Sequence, residues 1–133
     1  MNYQRHKSEE SVEDYLETIL ILSKHKAQVR SIDVANELGY SKPSVSVAMK
    51  NLRQKNYVNV SEEGYLSLTG EGLKLAATVY ERHSVISNWL ISLGVSRDVA
   101  VEDACRMEHD ISEESFSAIK KFLQDSADSS KNL

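Results

Sequence analysis

"ANELGYSKPSVSVAMKNL", residues 35–52, decides the fold. It closes one short amphipathic helix, turns, and opens another. Upstream, "SIDVANELGY" reads as a helix capped by Ser31, with Ile32, Ala35 and Leu38 inward. Gly39 suits the left-handed conformation that stops a helix. Ser41 then reads as the N-cap of the next helix. Pro43 lies in its first turn, where the missing N–H costs no helical bond. Val45, Ala48, Met49 and Leu52 recur at helical spacing and form the buried stripe.

Working outward, "SVEDYLETILILSK" predicts a preceding helix. Val12, Tyr15, Leu16, Ile19 and Leu22 face inward, and Ser11 stands as N-cap, with residues 1–8 as an arm. Downstream, Val58 and Val60 alternate with polar residues, as do Leu66 and Leu68, around "SEEG". That pattern predicts a β-hairpin with Gly64 at a positive φ. Thr69 opens a long helix with Leu73, Ala76, Tyr80, His83, Ile86 and Leu90 on one stripe, ended by Gly94. Two shorter helices are predicted near 96–109 and 112–124, the second capped by Ser112, followed by a frayed polar tail. The predicted class is mainly α. A winged helix-turn-helix over 1–70 precedes an all-helical domain over 71–133.

In a winged helix-turn-helix the outer face of the second turn helix meets the DNA major groove. The candidates are Ser41, Lys42, Pro43, Ser44, Val47, Lys50, Asn51 and Arg53. Serine and asparagine can bond base edges or phosphates, and Val47 can meet a thymine methyl. Lys50, Arg53 and Lys55 can follow phosphates, while Pro43 and the capped start set the approach. The same residues would also suit the solvated face of a three-helix core or a protein-interaction module. Turn, cap, basic exit and wing in this order favour DNA. Glu62 and Glu63 at the wing tip would repel phosphate.

Charge supports a division of labour within the 133 residues. Residues 1–60 hold 9 Lys+Arg against 7 Asp+Glu, and residues 61–133 hold 7 against 13. The net charge of −4 argues weakly against a nucleic-acid partner, but the basic excess falls on the predicted DNA-binding half. No apolar run approaches the length of a membrane span, and "MNYQRHKSEE" lacks the apolar core of a signal peptide. A single cysteine makes no internal disulfide, so a cytoplasmic setting is expected.

That cysteine lies in "CRMEHDIS". Cys105, Glu108 and His109 sit at i, i+3 and i+4, on one helical face. Thiolate, carboxylate and imidazole are competent ligands for first-row transition metals. They also fit a core cysteine beside two surface residues, or a nucleophile and base. The last lacks an orienting group and an oxyanion hole. His83 occupies an apolar stripe where leucine would be the ordinary choice. Asp14 and Glu17 form an i, i+3 carboxylate pair, which would equally serve the first turns of a helix. If the three helices converge, these groups suffice for one or two divalent ions.

With these motifs together, the chain resembles the diphtheria toxin repressor family of metal-dependent transcriptional regulators. It is most similar to the short, manganese-type branch. The resemblance runs from about residue 9 to about residue 124 and rests on "SVEDYLETI", "ANELGYSKPSVS", "VYERHSVISNWL" and "EDACRMEHDIS". It implies a homodimer with a winged DNA-binding domain and a helical dimerisation domain, bound to a palindromic operator and not to a membrane. It also implies no SH3-like third domain. By position it implies Asp14, Glu17, His83, Cys105, Glu108 and His109 as metal ligands.

Two positions depart from a single pattern. Asp14 is the manganese-type residue, where iron-type members carry Met. Cys105 is the iron-type residue, where manganese-type members carry Glu. Ser87 and Val101 stand where the iron-type ancillary site needs Glu and His, so a second ion could instead use the Asp14/Glu17 carboxylates, with Glu102 next to Val101 in sequence. Mn²⁺ or Fe²⁺ is the expected signal, with Co²⁺, Ni²⁺, Zn²⁺ or Cd²⁺ as in vitro substitutes. The expected function is a repressor in which metal bridges the two domains and controls metal-uptake genes. The competing expectation is a metal-independent winged-helix regulator answering a small molecule or a protein partner.

Overall fold

The computed structural model describes residues 3–131, with side chains over 12–127. The described residues form six helices and one small sheet. In order these are α1 (Tyr3–His25), β1 (Val29–Arg30), α2 (Ser31–Leu38) and α3 (Lys42–Gln54), then β2 (Val58–Val60) and β3 (Tyr65–Leu68). Three helices follow: α4 (Gly70–Ser92), α5 (Arg97–Asp110) and α6 (Glu113–Lys131). Two compact units result, Met1–Val79 and Tyr80–Leu133.

In the first unit α3 buries Val45, Met49 and Leu52. They join Tyr15, Leu16 and Ile19 of α1, Val34 and Ala35 of α2, and Val29, Val58 and Leu66 of the strands. Full burial of one such aliphatic side chain stabilises by about 1.5–3 kcal/mol, so this shared core, not helix propensity, holds the short α2 in place. Gly39 ends α2 at φ 71°, ψ 27°. The Ser41 hydroxyl caps α3 by accepting the Ser44 N–H at 3.3 Å, with Pro43 in the first turn.

The hairpin register pairs Val58 with Leu68 and Val60 with Leu66, and Gly64 turns at φ 86°. A third strand, absent from the sequence reading, joins it. β1 pairs antiparallel with β3, Val29 opposite Leu66 and Arg30 opposite Tyr65, giving the order β1-β3-β2. The Arg30 guanidinium extends that link. Its Nη1 donates to the Glu63 carbonyl at 2.8 Å, and its Cζ lies 4.4 Å from the Tyr65 ring centroid. Arg30 therefore holds the turn end of the wing from outside the hairpin.

Several expectations are corrected. Ser31 is the first residue of α2, not its cap. The N-cap is Arg30, whose backbone N–H donates to Asp33 Oδ2 at 2.9 Å. Ser11 is not an N-cap either, because α1 starts at Tyr3 and runs through it; over residues 3–8 this helix replaces the expected arm, whose first two residues lie outside those described. The side chains of residues 1–11 and 128–133 lie outside the described set. α6 reaches Lys131, beyond the expected end at 124. On α4, Leu73 and Tyr80 are exposed, while Ala76, Val79 and Ile86 are buried. The buried stripe of α4 therefore lies to one side of the expected one.

The second unit has a smaller core. Ile86, Ala104 and Phe116 are buried, with Val85, Leu90, Met107 and Ile111 packed around them. Ser112 caps α6 by accepting the Ser115 N–H at 3.1 Å. No helix among the described residues is long and apolar enough to cross a membrane.

Candidate metal centre and nucleic-acid interface

α5 carries Cys105, Glu108 and His109 on one face, as their spacing requires. Each offers one ligand atom, and the three atoms lie within 4.8 Å of one another. His83 of α4 offers a further nitrogen within 4.8 Å of a Glu108 oxygen. Glu108 is thus the meeting point of both helices within the second unit.

Burial makes Glu108 unusual. The residue is 1 % exposed, and the His109 side chain beside it is only 6 % exposed. Glu108 Oε1 lies 3.6 Å from His109 Nε2. Surface carboxylates keep their charge through water. A buried one must gain compensating positive charge or hydrogen bonds, because desolvation otherwise costs several kcal/mol. Cys105 is half-buried and free of any disulfide. One carboxylate, two imidazoles and a thiol within a few ångströms fit a divalent transition metal: borderline donors surround one hard anionic oxygen.

Asp14 and Glu17 lie in the first unit, one turn apart on α1, Asp14 half-buried and Glu17 buried. Of the six ligands expected from the resemblance, four are therefore drawn together within the second unit, and the other two share a helix face in the first.

Sequence reasoning missed Arg82. It lies beside His83, and its guanidinium reaches the end of α5: Nη1 donates to the Glu108 carbonyl at 3.0 Å and to the Ile111 carbonyl at 3.3 Å. An arginine in a helix reads as surface charge, and no local pattern marks contacts 26 and 29 residues away.

In the first unit, Ser41, Lys42, Pro43, Ser44, Val47, Lys50, Asn51 and Arg53 are all exposed. Val47 is 62 % exposed although α3 buries apolar residues on its other side. An exposed valine flanked by serine, lysine and asparagine makes a mixed apolar and hydrogen-bonding surface, which base edges can use.

Comparison with known proteins covers both units. Residues 8–66 match the profile described as "Iron dependent repressor, N-terminal DNA binding domain". Residues 69–131 match "Iron dependent repressor, metal binding and dimerisation domain". The transcriptional regulator MntR of Escherichia coli O6:H1 is 38 % identical over 115 residues, covering 86 % of this chain and 74 % of the relative. An HTH-type transcriptional regulator of Methanocaldococcus jannaschii is 30 % identical over 117 residues, covering 86 % of this chain and 94 % of the relative. Among solved structures, the manganese regulator SloR superposes with a TM-score of 0.75 at 30 % identity, covering 85 % of this chain and 53 % of that one. The chain thus spans about half the length of that solved regulator. With both domain profiles in register and a relative at 38 % identity, the chain belongs to the iron-dependent repressor family of transcriptional regulators and is not an enzyme.

Proposed function

We propose that this chain is a divalent-metal-responsive transcriptional repressor acting as a homodimer on a palindromic operator in the cytoplasm. The observation that carries this reading is the buried Glu108 carboxylate, with ligand atoms of Cys105, His109 and His83 each within 4.8 Å of it. His83, Cys105, Glu108 and His109 would hold the ion, and the resemblance adds Asp14 and Glu17 of α1 as further ligands. When bound, a divalent cation supplies the positive charge that lets these carboxylates gather. As the resemblance implies, metal would bridge the two domains, so that occupancy sets how each α3 is presented. In a two-fold dimer that sets the spacing of the α3 helices, which must match half-sites about one DNA turn apart. By linkage, metal favours DNA binding only as far as it binds the DNA-competent arrangement more tightly.

The exposed α3 face, Ser41 to Arg53, reads the operator. Mn²⁺ or Fe²⁺ is the signal, and genes for metal uptake are the targets. The names of the relatives support the regulatory role and manganese as signal: MntR is a transcriptional regulator and SloR a manganese regulator. ScaR, 27 % identical, was solved with bound Cd²⁺.

The test is binding of the purified chain to operator-like palindromic DNA with Mn²⁺, with Fe²⁺ and with EDTA. Tight binding in metal and weak binding in EDTA is expected, and lost with the Glu108→Ala/His109→Ala double variant. Equal affinity in metal and in EDTA would favour the metal-independent regulator.

A further inference from the structure

We infer that Arg82 is a positioning residue for the metal centre, holding the main chain of Glu108 at a set distance from His83; this rests on the metal reading above. α5 ends just after its ligands. Carbonyls in its last turn lack the intrahelical N–H partners that a longer helix would provide. The guanidinium of Arg82 supplies donors to two carbonyls of this turn and its cap, those of Glu108 and Ile111. It does so as a cation at a helix C-terminus, where the dipole favours positive charge. Its other terminal nitrogen, Nη2, pairs with Glu113 Oε2 at 2.9 Å, and Cζ lies 5.3 Å from the Phe116 ring centroid.

These contacts have different worth. Glu113 is 77 % exposed, so water screens that pair and it contributes little. The Arg82 side chain is 16 % exposed, and its bonds to the carbonyls are charge-assisted and partly shielded. The shorter of these bonds thus ends on the backbone of a proposed ligand, Glu108, and the other on the cap residue Ile111. α4 reaches Glu108 twice, through the ligand atom of His83 and through its neighbour Arg82. A rigid planar fork can fix a main-chain position to a fraction of an ångström. Lysine, a point charge on a flexible stem, lacks the rigid plane that fixes the direction of the one nitrogen, Nη1, that meets both carbonyls. Groups that orient metal ligands from outside the coordination sphere typically carry roughly 10–100-fold in metal affinity.

The experiment titrates the purified full chain with Co²⁺. It follows the sulfur-to-cobalt charge-transfer band of Cys105 and the ligand-field bands, with thermal unfolding of metal-free protein measured alongside. Arg82→Met is expected to weaken Co²⁺ binding roughly 10–100-fold and to alter the ligand-field bands. Arg82→Lys, which keeps charge and stem and so protects folding, is expected to show a smaller loss in the same direction. Glu113→Gln removes only the exposed arm and should bind Co²⁺ as the parent chain does. A merely structural arginine would lower the unfolding temperature of the metal-free variants while leaving affinity and spectrum unchanged, and that result overturns the inference. If Arg82→Met does not fold, parent-like affinity and spectrum in Arg82→Lys overturn it. A parent chain that develops no cobalt bands removes the metal reading itself, a different failure from parent and variants binding alike.

Discussion

Gly72 stands against the main chain of Tyr57: a Cβ at residue 72 would lie 2.0 Å from the Tyr57 carbonyl oxygen. That carbonyl also accepts the Thr69 N–H at 3.0 Å, and Gly72 N–H donates to Thr69 Oγ1 at 3.0 Å. The first turn of α4 is therefore seated directly on the chain entering β2, and backbone cannot yield as a side chain can. Gly72→Ala is expected to destabilise the protein by about 1–3 kcal/mol through overpacking, although alanine is the better helix former. Denaturant unfolding checks this, and an unchanged or raised midpoint would refute the close approach.

Asp33 ties the start of α2 to the strand before it. Lys26 Nζ lies 2.7 Å from Oδ1, and the Arg30 N–H bonds Oδ2 at 2.9 Å. The hydrogen bond from Lys26, then that from the Arg30 backbone, hold the carboxyl below its ordinary value, outweighing desolvation. A depressed folded pKa gives stability that is fully present above the unfolded value of about 3.9 and lost as pH falls through the lower folded value. Asp33→Asn should therefore cost about 1 kcal/mol at neutral pH, as caps do, with the gap to the parent chain closing in acid. A gap of equal size at pH 7 and at about pH 2 would contradict this.

On DNA, Lys50 and Asn51 should behave differently. Lys50→Ala, at a proposed phosphate contact, is expected to weaken binding to all sequences alike and to reduce the slope of log affinity against log salt by about 0.9. Asn51→Ala, at a proposed base contact, should cost about 1–3 kcal/mol on the operator and little on unrelated DNA. Fluorescence anisotropy over a salt series separates the two, and a sequence-selective loss for Lys50→Ala would reassign its contact.

Cys105 brings a soft donor to the proposed metal site, beside the Glu108 carboxylate. Cys105→Glu should shift selectivity toward Mn²⁺ and abolish the sulfur-to-cobalt band. Competition between Mn²⁺ and Zn²⁺ gives the readout. A drop of about 1.4 kcal/mol in the preference for Zn²⁺ is a tenfold change in the affinity ratio. No change in that ratio would place Cys105 outside the coordination sphere.

Most of the helices were legible because their signals are local. Gly39 and Ser41 mark a stop and a start by their own conformational and hydrogen-bonding preferences, and the structure uses both. Cys105, Glu108 and His109 share a face through helical spacing alone. The failures have physical causes. β1 is two residues long and carries no period; it exists because Leu66 and Tyr65 offer it a ladder. Ser31 looked like a cap because caps favour serine, but the Asp33 carboxylate accepts the Arg30 N–H and so starts the helix one residue earlier. Leu73 and Tyr80 looked buried because helical spacing yields a stripe without saying which edge of it meets the core.

Local chemistry along the chain was thus enough to specify the helix-turn-helix, the hairpin and the face of α5 that carries a thiol, a carboxylate and an imidazole. Tertiary structure decided the rest: Glu108 is almost fully buried, His83 meets it from α4, and Arg82 holds its carbonyl. These depend on groups some 26 residues apart in the chain, and their approach is set by how Ile86, Ala104 and Phe116 pack, not by any preference of the residues themselves. Desolvation and long-range hydrogen bonds arise only once that core has formed.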